Sequence, residues 1–346
     1  MAIDPIEKTI LIEESEMVTT KPRNLAVEDA VFFDNSKKQY TPSVFLLRYK
    51  RVFVSYAGTV FWRFTTSALS TVDYYKSKLG LKYIIYNYIR RKKITLDSKQ
   101  NYILFYNNFC DCYYHWMTEA IPRLFLVKHL LPEHKIILPS VYTKFHIKSL
   151  EAFGIKKEDI VYIPVNSYVK TDNLLMPTFT GKEGIYNGAL FNELRQFYTS
   201  HYRSEIAKEL SFDKVYIKRK KSSIRKVANE EDVLKVVSQY GFKDIFFEDY
   251  SFEEQIQIAS KAKIMISIHG AGLTNMLFMK PGSKVLEFRK KNETNFLHYY
   301  NLASTLNLNY YYLFGLPEDE KKSSKDADLL MDIESLRRII IKMNEP

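Results

Sequence analysis

From about residue 213 the sequence alternates strand-like and helix-like runs so regularly that few folds can accommodate it. "DKVYIKR" reads as a strand and "NEEDVLKVVSQYG" as a helix, with Asn229 as N-cap and Gly241 as stop. "KDIFFED" is strand-like again, and "SFEEQIQIASKA" is a helix opened by a Ser251–Glu254 capping box. "KIMISIHG", "KVLEF" and "NYYYLF" complete the strands, separated by the short helix "AGLTNMLFM" and the longer "TNFLHYYNLASTLN". Such a series forms right-handed βαβ units and therefore a parallel, doubly wound sheet. A polar stretch, "PEDEKKSSKDAD", then leads into a terminal amphipathic helix over 328–343.

The first half is less regular. "AVFFD", "SVFLLRY" and "RVFVSYA" are short extended runs with turn signals between them, a β-rich entry. "NYILFYN", "HKIILP", "DIVYIP" and "YVKTDNLLMP" continue as strands. Helices are expected over 111–130, in "YTKFHIKSLEAFG" with Gly154 as stop, and over 188–202. Pro122 should end or kink the first of these.

At 346 residues the chain is long enough for two cores. A net charge of +11 implies anionic partners: nucleic acid, an anionic membrane surface or phosphorylated ligands. The mixed, acidic N-terminus has no secretory-signal pattern, and no window of about 18 apolar residues suggests a membrane span. Cys110 and Cys112 are too close on the chain to bond each other and read as reduced thiols. With His115 they would still leave a zinc ion short of a ligand. Asn292 in "NET" is read as a chance match to a glycosylation acceptor.

Three stretches carry chemistry. In "SIHGAGLTN" the glycines Gly270 and Gly272 follow a strand buried on both faces and open a helix. A helix start offers unpaired N–H groups and partial positive charge, and glycine lets backbone approach an anion. His269 stands beside this turn as a side-chain donor, and Asn275 is placed to stabilise the turn or reach a sugar. A tight turn without a ligand uses glycines equally well. "KVYIKRKKSSIRK" holds seven basic residues and no acid after a strand of the same sheet. Arg219 and Arg225 can therefore face the anion at the glycine turn, while Lys220 and Lys221 read as a solvated loop. In "CDCYYHWMTEAIPRL", Asp111, His115 and Glu119 fall on one face if the segment is helical. His115, Glu119 or Asp111 can then serve as a general base, the imidazole being the first choice near neutral pH. Glu287, at the end of "KVLEF", is suited to accept ribose hydroxyls or to cap a strand edge.

These stretches, in this order, resemble glycosyltransferase family 61. The resemblance rests on "YYHWMTEAIPRL", "IKRKKSSIRKVANEEDV" and "HGAGLTNMLFMKPGSKVLEF", and it covers about residues 100–320. It implies a GT-B-type α/β fold of two Rossmann-like domains with a crevice between them, entered through the β-rich N-terminus. Residues 1–205 would form an acceptor-side domain and 206–325 a nucleotide-sugar domain, followed by a terminal helix over 326–346. The implied activity is an inverting transfer from a nucleotide sugar, UDP-sugars favoured, to a glycan or lipid-linked acceptor. Residues 269–275 (His269, Gly270, Ala271, Gly272, Leu273, Thr274, Asn275), with Arg219, Arg225 and Glu287, would hold the donor. Lys218 stands where the family commonly has a serine.

No metal or other cofactor is expected: the one Asp-x-Asp pair, Asp326–Asp328, sits in a polar segment where helix capping suits it better. With no signal anchor and no disulfide-type cysteines, the chain is expected in the cytoplasm, in bacterial capsular or surface polysaccharide synthesis, with peripheral contact at the inner membrane face. Two rivals stand beside this reading: a basic nucleic-acid-binding protein, for which no motif is found, and a catalytically inactive GT-B scaffold. A Rossmann dehydrogenase would need a third glycine where Asn275 stands.

Overall fold

The computed structural model describes residues 4–33, 38–71, 80–142, 144–182, 184–203, 210–219, 225–291, 296–322 and 326–345. Lys220, Lys221 and Asn292 lie outside the described residues. The chain forms two compact units, one from Met1–Ser15 and Tyr40–Lys182, the other from Glu16–Gln39 and Glu183–Pro346. The sequence reading divided the chain after residue 205. The helix Gly188–His201 instead belongs to the second unit, where the buried Arg195 donates to the Leu306 carbonyl at 3.2 Å.

The first unit holds a mixed sheet. Its strands are β1 (Glu7–Ile12), β2 (Val44–Ser55), β3 (Val60–Trp62), β4 (Thr65–Thr66), β5 (Lys92–Thr95), β6 (Asn101–Ile103), β7 (His134–Pro139), β8 (Ile160–Ile163) and β9 (Ser167–Pro177). The order is β8-β7-β6-β9-β2-β3-β4, with β1 on β2 and β5 on β9. β8, β7, β6 and β9 run parallel, whereas β9, β2, β3 and β4 are antiparallel neighbours. The runs expected as two strands around residue 50 form the single strand β2. Arg51 kinks it at φ +51°, and pairing with β9 resumes on both sides of the kink.

The second unit is the doubly wound sheet. Its strands are β10 (Lys214–Ile217), β11 (Lys243–Ile245), β12 (Ile264–Ile268), β13 (Lys284–Lys290), β14 (Asn309–Pro317) and β15 (Leu329–Leu330), in the order β11-β10-β12-β13-β14-β15. The first five are parallel, and β15 closes the edge antiparallel to the end of β14. Val233, Val236 and Val237 pack on Tyr216, Ile266 and Leu286, and Leu336 and Ile340 of the terminal helix Ile333–Asn344 join the same core. Ala30–Phe33, expected as extended, is a 3-10 turn that drives Phe33 against Tyr300 and Tyr312; Asp34 lies outside the described residues. The preceding residues cover the open edge of β14. Arg23 N–H donates to the Tyr310 carbonyl, and the Asn24 amide both donates to and accepts from the Tyr312 backbone, as a neighbouring strand would.

Helix ends follow local chemistry. Ser251 and Glu254 form the expected capping box of the helix Phe252–Lys261, and Gly241 takes the left-handed φ of +76° after the helix Glu230–Gln239. Asn229 precedes that helix without capping it by its side chain, because its amide is used up by the Met331 N–H and carbonyl. The terminal helix is capped by Asp332; Asp328 accepts instead from the Lys226 N–H at 2.6 Å.

Candidate active site

The strand order of the second unit fixes where a ligand can enter. β11 lies on one side of β10 and β12 on the other, so the chain leaves β10 and β12 in opposite directions and opens a crevice at their carboxyl ends. Arg219 lies two residues past the end of β10, and His269 and Gly270 directly follow β12. The basic stretch and the glycine turn thus meet at one switch point. Gly270 makes their approach possible: a Cβ there would stand 3.2 Å from Arg219 Nη1.

Neither Gly270 nor Gly272 is required by a left-handed backbone. Gly270 has an extended φ of 167°, which any residue adopts. A Cβ on Gly272 would lie 3.1 Å from Ile217 Cγ2, so this glycine lets the turn pack on the last residue of β10. The helix is a 3-10 helix, Ala271–Phe278, whose first bond runs from Leu273 N–H to the Gly270 carbonyl at 2.9 Å. The N–H groups of Ala271 and Gly272 therefore stay outside its ladder, at the mouth of the crevice. Leu273, Thr274 and Asn275 point inward and are buried, and the Asn275 amide donates to Gln255 Oε1 and the Gly272 carbonyl. Asn275 thus stabilises the turn.

Both arginines carry buried donors without a hydrogen-bond partner among the described residues: Nη1 of Arg219 and Nε of Arg225. Burial, and after it the neighbouring Arg225 charge, pull the Arg219 pKa down against the smaller opposing effects of Glu248 and Asp328. Arg225 also sits at φ +59°, in the left-handed region, which costs a non-glycine residue about 1–2 kcal/mol. It lines a pocket with Ile268, His269, Arg289, Lys290, Phe296 and Leu329. Lys218 is already occupied, bonded to Asp244 at 2.6 Å on the adjacent strand.

His269 is held from behind. Its Nδ1 meets Glu287 Oε1 at 2.5 Å, and Tyr310 OH donates to Glu287 Oε2 at 2.5 Å, with Arg289 Nη1 3.5 Å from the same oxygen. Burial alone would raise the Glu287 pKa. The Arg289 charge and the bonds from His269 and Tyr310 more than offset this and hold it below the usual carboxylate value. The carboxylate state makes Nδ1 the donor, so Nε2, which has no hydrogen bond among the described residues, is the working nitrogen of the ring. Glu287 is fully buried, with both oxygens engaged. This arrangement gives Glu287 the job of orienting His269. Arg289 and Tyr310 were missed in the sequence. Arg289 had a signal, since it stands two residues from Glu287 and so on the same face of β13.

In the first unit, the segment around His115 is one helical run with a wide turn. Tyr113–His115 and Ile121–Leu126 are α-helical, and Trp116–Ala120 forms a π turn in which the Ile121 N–H reaches the Trp116 carbonyl. Pro122 follows this turn and the run continues past it to Leu126, followed by a 3-10 stretch, Lys128–Glu133. π turns of this kind recur at functional sites. His115 Nδ1 bonds Glu119 Oε1 at 2.7 Å, and Asn107 Nδ2 donates to Glu119 Oε2 at 2.7 Å. Asp111 precedes the helix, is exposed and does not pair with His115; the orienting carboxylate is Glu119. Arg123 is buried, donates twice to the Pro177 carbonyl and lies over the Phe179 ring, and burial pulls its pKa down to about 10. Its work is to tie the helix to the end of β9. Cys110 is buried and Cys112 exposed, and neither is in a disulfide among the described residues.

Comparison with known proteins gives this geometry a context. The chain is 27% identical over 179 residues to the xylan glycosyltransferase MUCI21 of Arabidopsis thaliana, covering 44% of this chain and 36% of that protein. It is 27% identical over 113 residues to the protein O-linked-mannose beta-1,4-N-acetylglucosaminyltransferase 2 of Takifugu rubripes, 31% of this chain and 19% of that one. Over 79 residues it is 34% identical to the EGF domain-specific O-linked N-acetylglucosamine transferase of Gallus gallus, 21% of this chain and 15% of that protein. The chain thus spans between 15% and 36% of the length of these curated relatives. Residues 113–286 match the family described as Glycosyltransferase 61, from the helix of His115 into the strand that carries Glu287. That match takes in half of the chain, which belongs to glycosyltransferase family 61.

Proposed function

We propose that the chain is an inverting glycosyltransferase. It takes a sugar from a nucleotide sugar, UDP-sugars favoured, to a hydroxyl of a glycan or lipid-linked glycan in surface polysaccharide synthesis. The second unit serves the donor and the first unit the acceptor. One observation carries the reading: two arginines with buried donor nitrogens that have no partner among the described residues stand at the switch point of a doubly wound sheet, beside a helix start. Buried unpaired donors are costly, and an anion in the crevice satisfies them. The family membership and the names of the relatives support glycosyl transfer as the chemistry.

In the proposed reaction the acceptor oxygen forms a bond to the anomeric carbon as the bond from that carbon to the diphosphate oxygen breaks on the opposite face. Negative charge grows on the leaving diphosphate, and Arg219 and Arg225 neutralise it beside the His269 ring. These cations do the work that a bound metal does in other transferases. The acceptor proton goes to His115, whose ring Glu119 orients and whose charged form Glu119 stabilises.

Calorimetry with UDP, CMP and GDP tests the donor site. Arg219→Ala and Arg225→Ala should each weaken binding by about 1.5–3 kcal/mol, the range for a charge-assisted hydrogen bond. Unchanged affinity in both variants refutes the site. RNA and NAD in the same assay test the nucleic-acid and dehydrogenase readings. Loss of turnover without loss of nucleotide affinity in His115→Ala separates the base from the donor site.

A further inference from the structure

The first unit presents an apolar face that none of the chemistry above uses. The helix Leu81–Arg90 buries Ile84 and Asn87 and packs Tyr83 and Tyr88 around Phe61 and Tyr168. Its outer side is apolar as well. Leu81, Ile85 and Ile89 follow one another at i, i+4 and i+8, with Tyr86 beside them, and their exposures are 53%, 39%, 71% and 50%. The β3–β4 hairpin packs against this helix, and Phe64 at its tip is 68% exposed. Isolated exposed apolar residues are ordinary, but a continuous stripe along one helix marks a contact surface.

The charge around the stripe says what it contacts. Lys82, Arg90, Lys92 and Lys93 are exposed, and Arg91 lies over the Tyr86 ring. From residue 74 to residue 96 the sequence has no acidic side chain. An acid-free apolar stripe edged by lysine and arginine matches a surface that is apolar inside and anionic at its boundary. Among the described residues no helix is long and apolar enough to cross a membrane, so such a helix lies along the surface. We propose that the Leu81–Arg90 face, with Phe64, docks on an anionic lipid bilayer. Leu81, Ile85, Ile89 and Phe64 enter the acyl boundary, and Lys82, Arg90, Lys92 and Lys93 pair with headgroups. This assignment does not depend on the donor reading.

Cosedimentation with vesicles tests it, using pure phosphatidylcholine against a phosphatidylcholine–phosphatidylglycerol mixture. The intact protein should bind the mixture, leave pure phosphatidylcholine in solution, and release as salt rises. The double variants Ile85→Glu with Ile89→Glu, and Lys92→Glu with Lys93→Glu, should each lose about tenfold or more of this binding. All four side chains are exposed, so circular dichroism and nucleotide affinity should stay at parental values. Absence of binding to the anionic mixture, or binding that survives both double variants, overturns the proposal. So does a vesicle-free sedimentation experiment in which the Ile85→Glu, Ile89→Glu variant turns an oligomer into a monomer, because the stripe would then join two copies of the chain.

Discussion

Replacing Glu287 by glutamine is the sharpest test of the network behind His269. The carboxylate is fully buried and compensates Arg289, which is itself only 2% exposed. Removing one member of a buried ion pair costs about 3–5 kcal/mol, because the remaining charge stays buried without compensation. Arg289 keeps a bond to the Phe296 carbonyl at 3.1 Å, and glutamine retains one acceptor oxygen, which argues for the lower end, about 3 kcal/mol. For a unit of this size that corresponds to a melting temperature about 6–12 °C lower. The pH dependence has a definite sign. The folded pKa of Glu287 is depressed, so its contribution is complete above the unfolded value of about 4.3 and is lost as pH falls through the folded value. Urea unfolding of parent and variant across the acid range should therefore show the two curves converging as pH drops. A variant as stable as the parent at neutral pH refutes the ion-pair argument, as does a gap that stays constant down to the acid end.

Three further outcomes follow from local contacts. Gly270→Ala should displace the Arg219 guanidinium and lower nucleotide affinity severalfold with little loss of stability, read by calorimetry and melting on one sample. Gly272→Val presses on Ile217 instead and should cost about 1–3 kcal/mol of stability, with the remaining folded protein still binding nucleotide. His115→Ala should lower turnover by about 10²–10⁴-fold in a glycosyl-transfer assay with donor affinity intact, and near-normal turnover would pass the base role to Glu119.

The second unit was legible because its cues are local. Alternating buried runs, the Ser251–Glu254 box and the left-handed Gly241 each act within a few residues, and a parallel sheet follows from their order. What failed was set by partners distant in sequence. Asn229 looks like a cap, but Met331 takes its amide. Phe33 looks like a strand residue, but the rings of Tyr300 and Tyr312 pull its segment into a turn. The helix Leu81–Arg90 was missed although Leu81, Ile84, Ile85, Tyr88 and Ile89 recur at helical spacing along one stripe.

At the candidate site the residue types were readable and their roles were not. A strand end carrying His-Gly-Ala-Gly and another carrying arginines identify an anion crevice only once β10 and β12 are known to be neighbours, and no spacing rule states that pairing. The strand order supplies it, and with it a division of labour. Gly270 clears space for Arg219, whereas Gly272 clears space for Ile217, so two glycines in one motif make room for different neighbours. Glu287 shows the same shift: the last residue of a recognisable motif is fully buried, with its oxygens taken by His269, Tyr310 and Arg289. The physical content of the motif is thus a histidine oriented from behind by Glu287, set beside arginines with donor nitrogens that lack hydrogen-bond partners among the described residues, at the carboxyl ends of two adjacent strands.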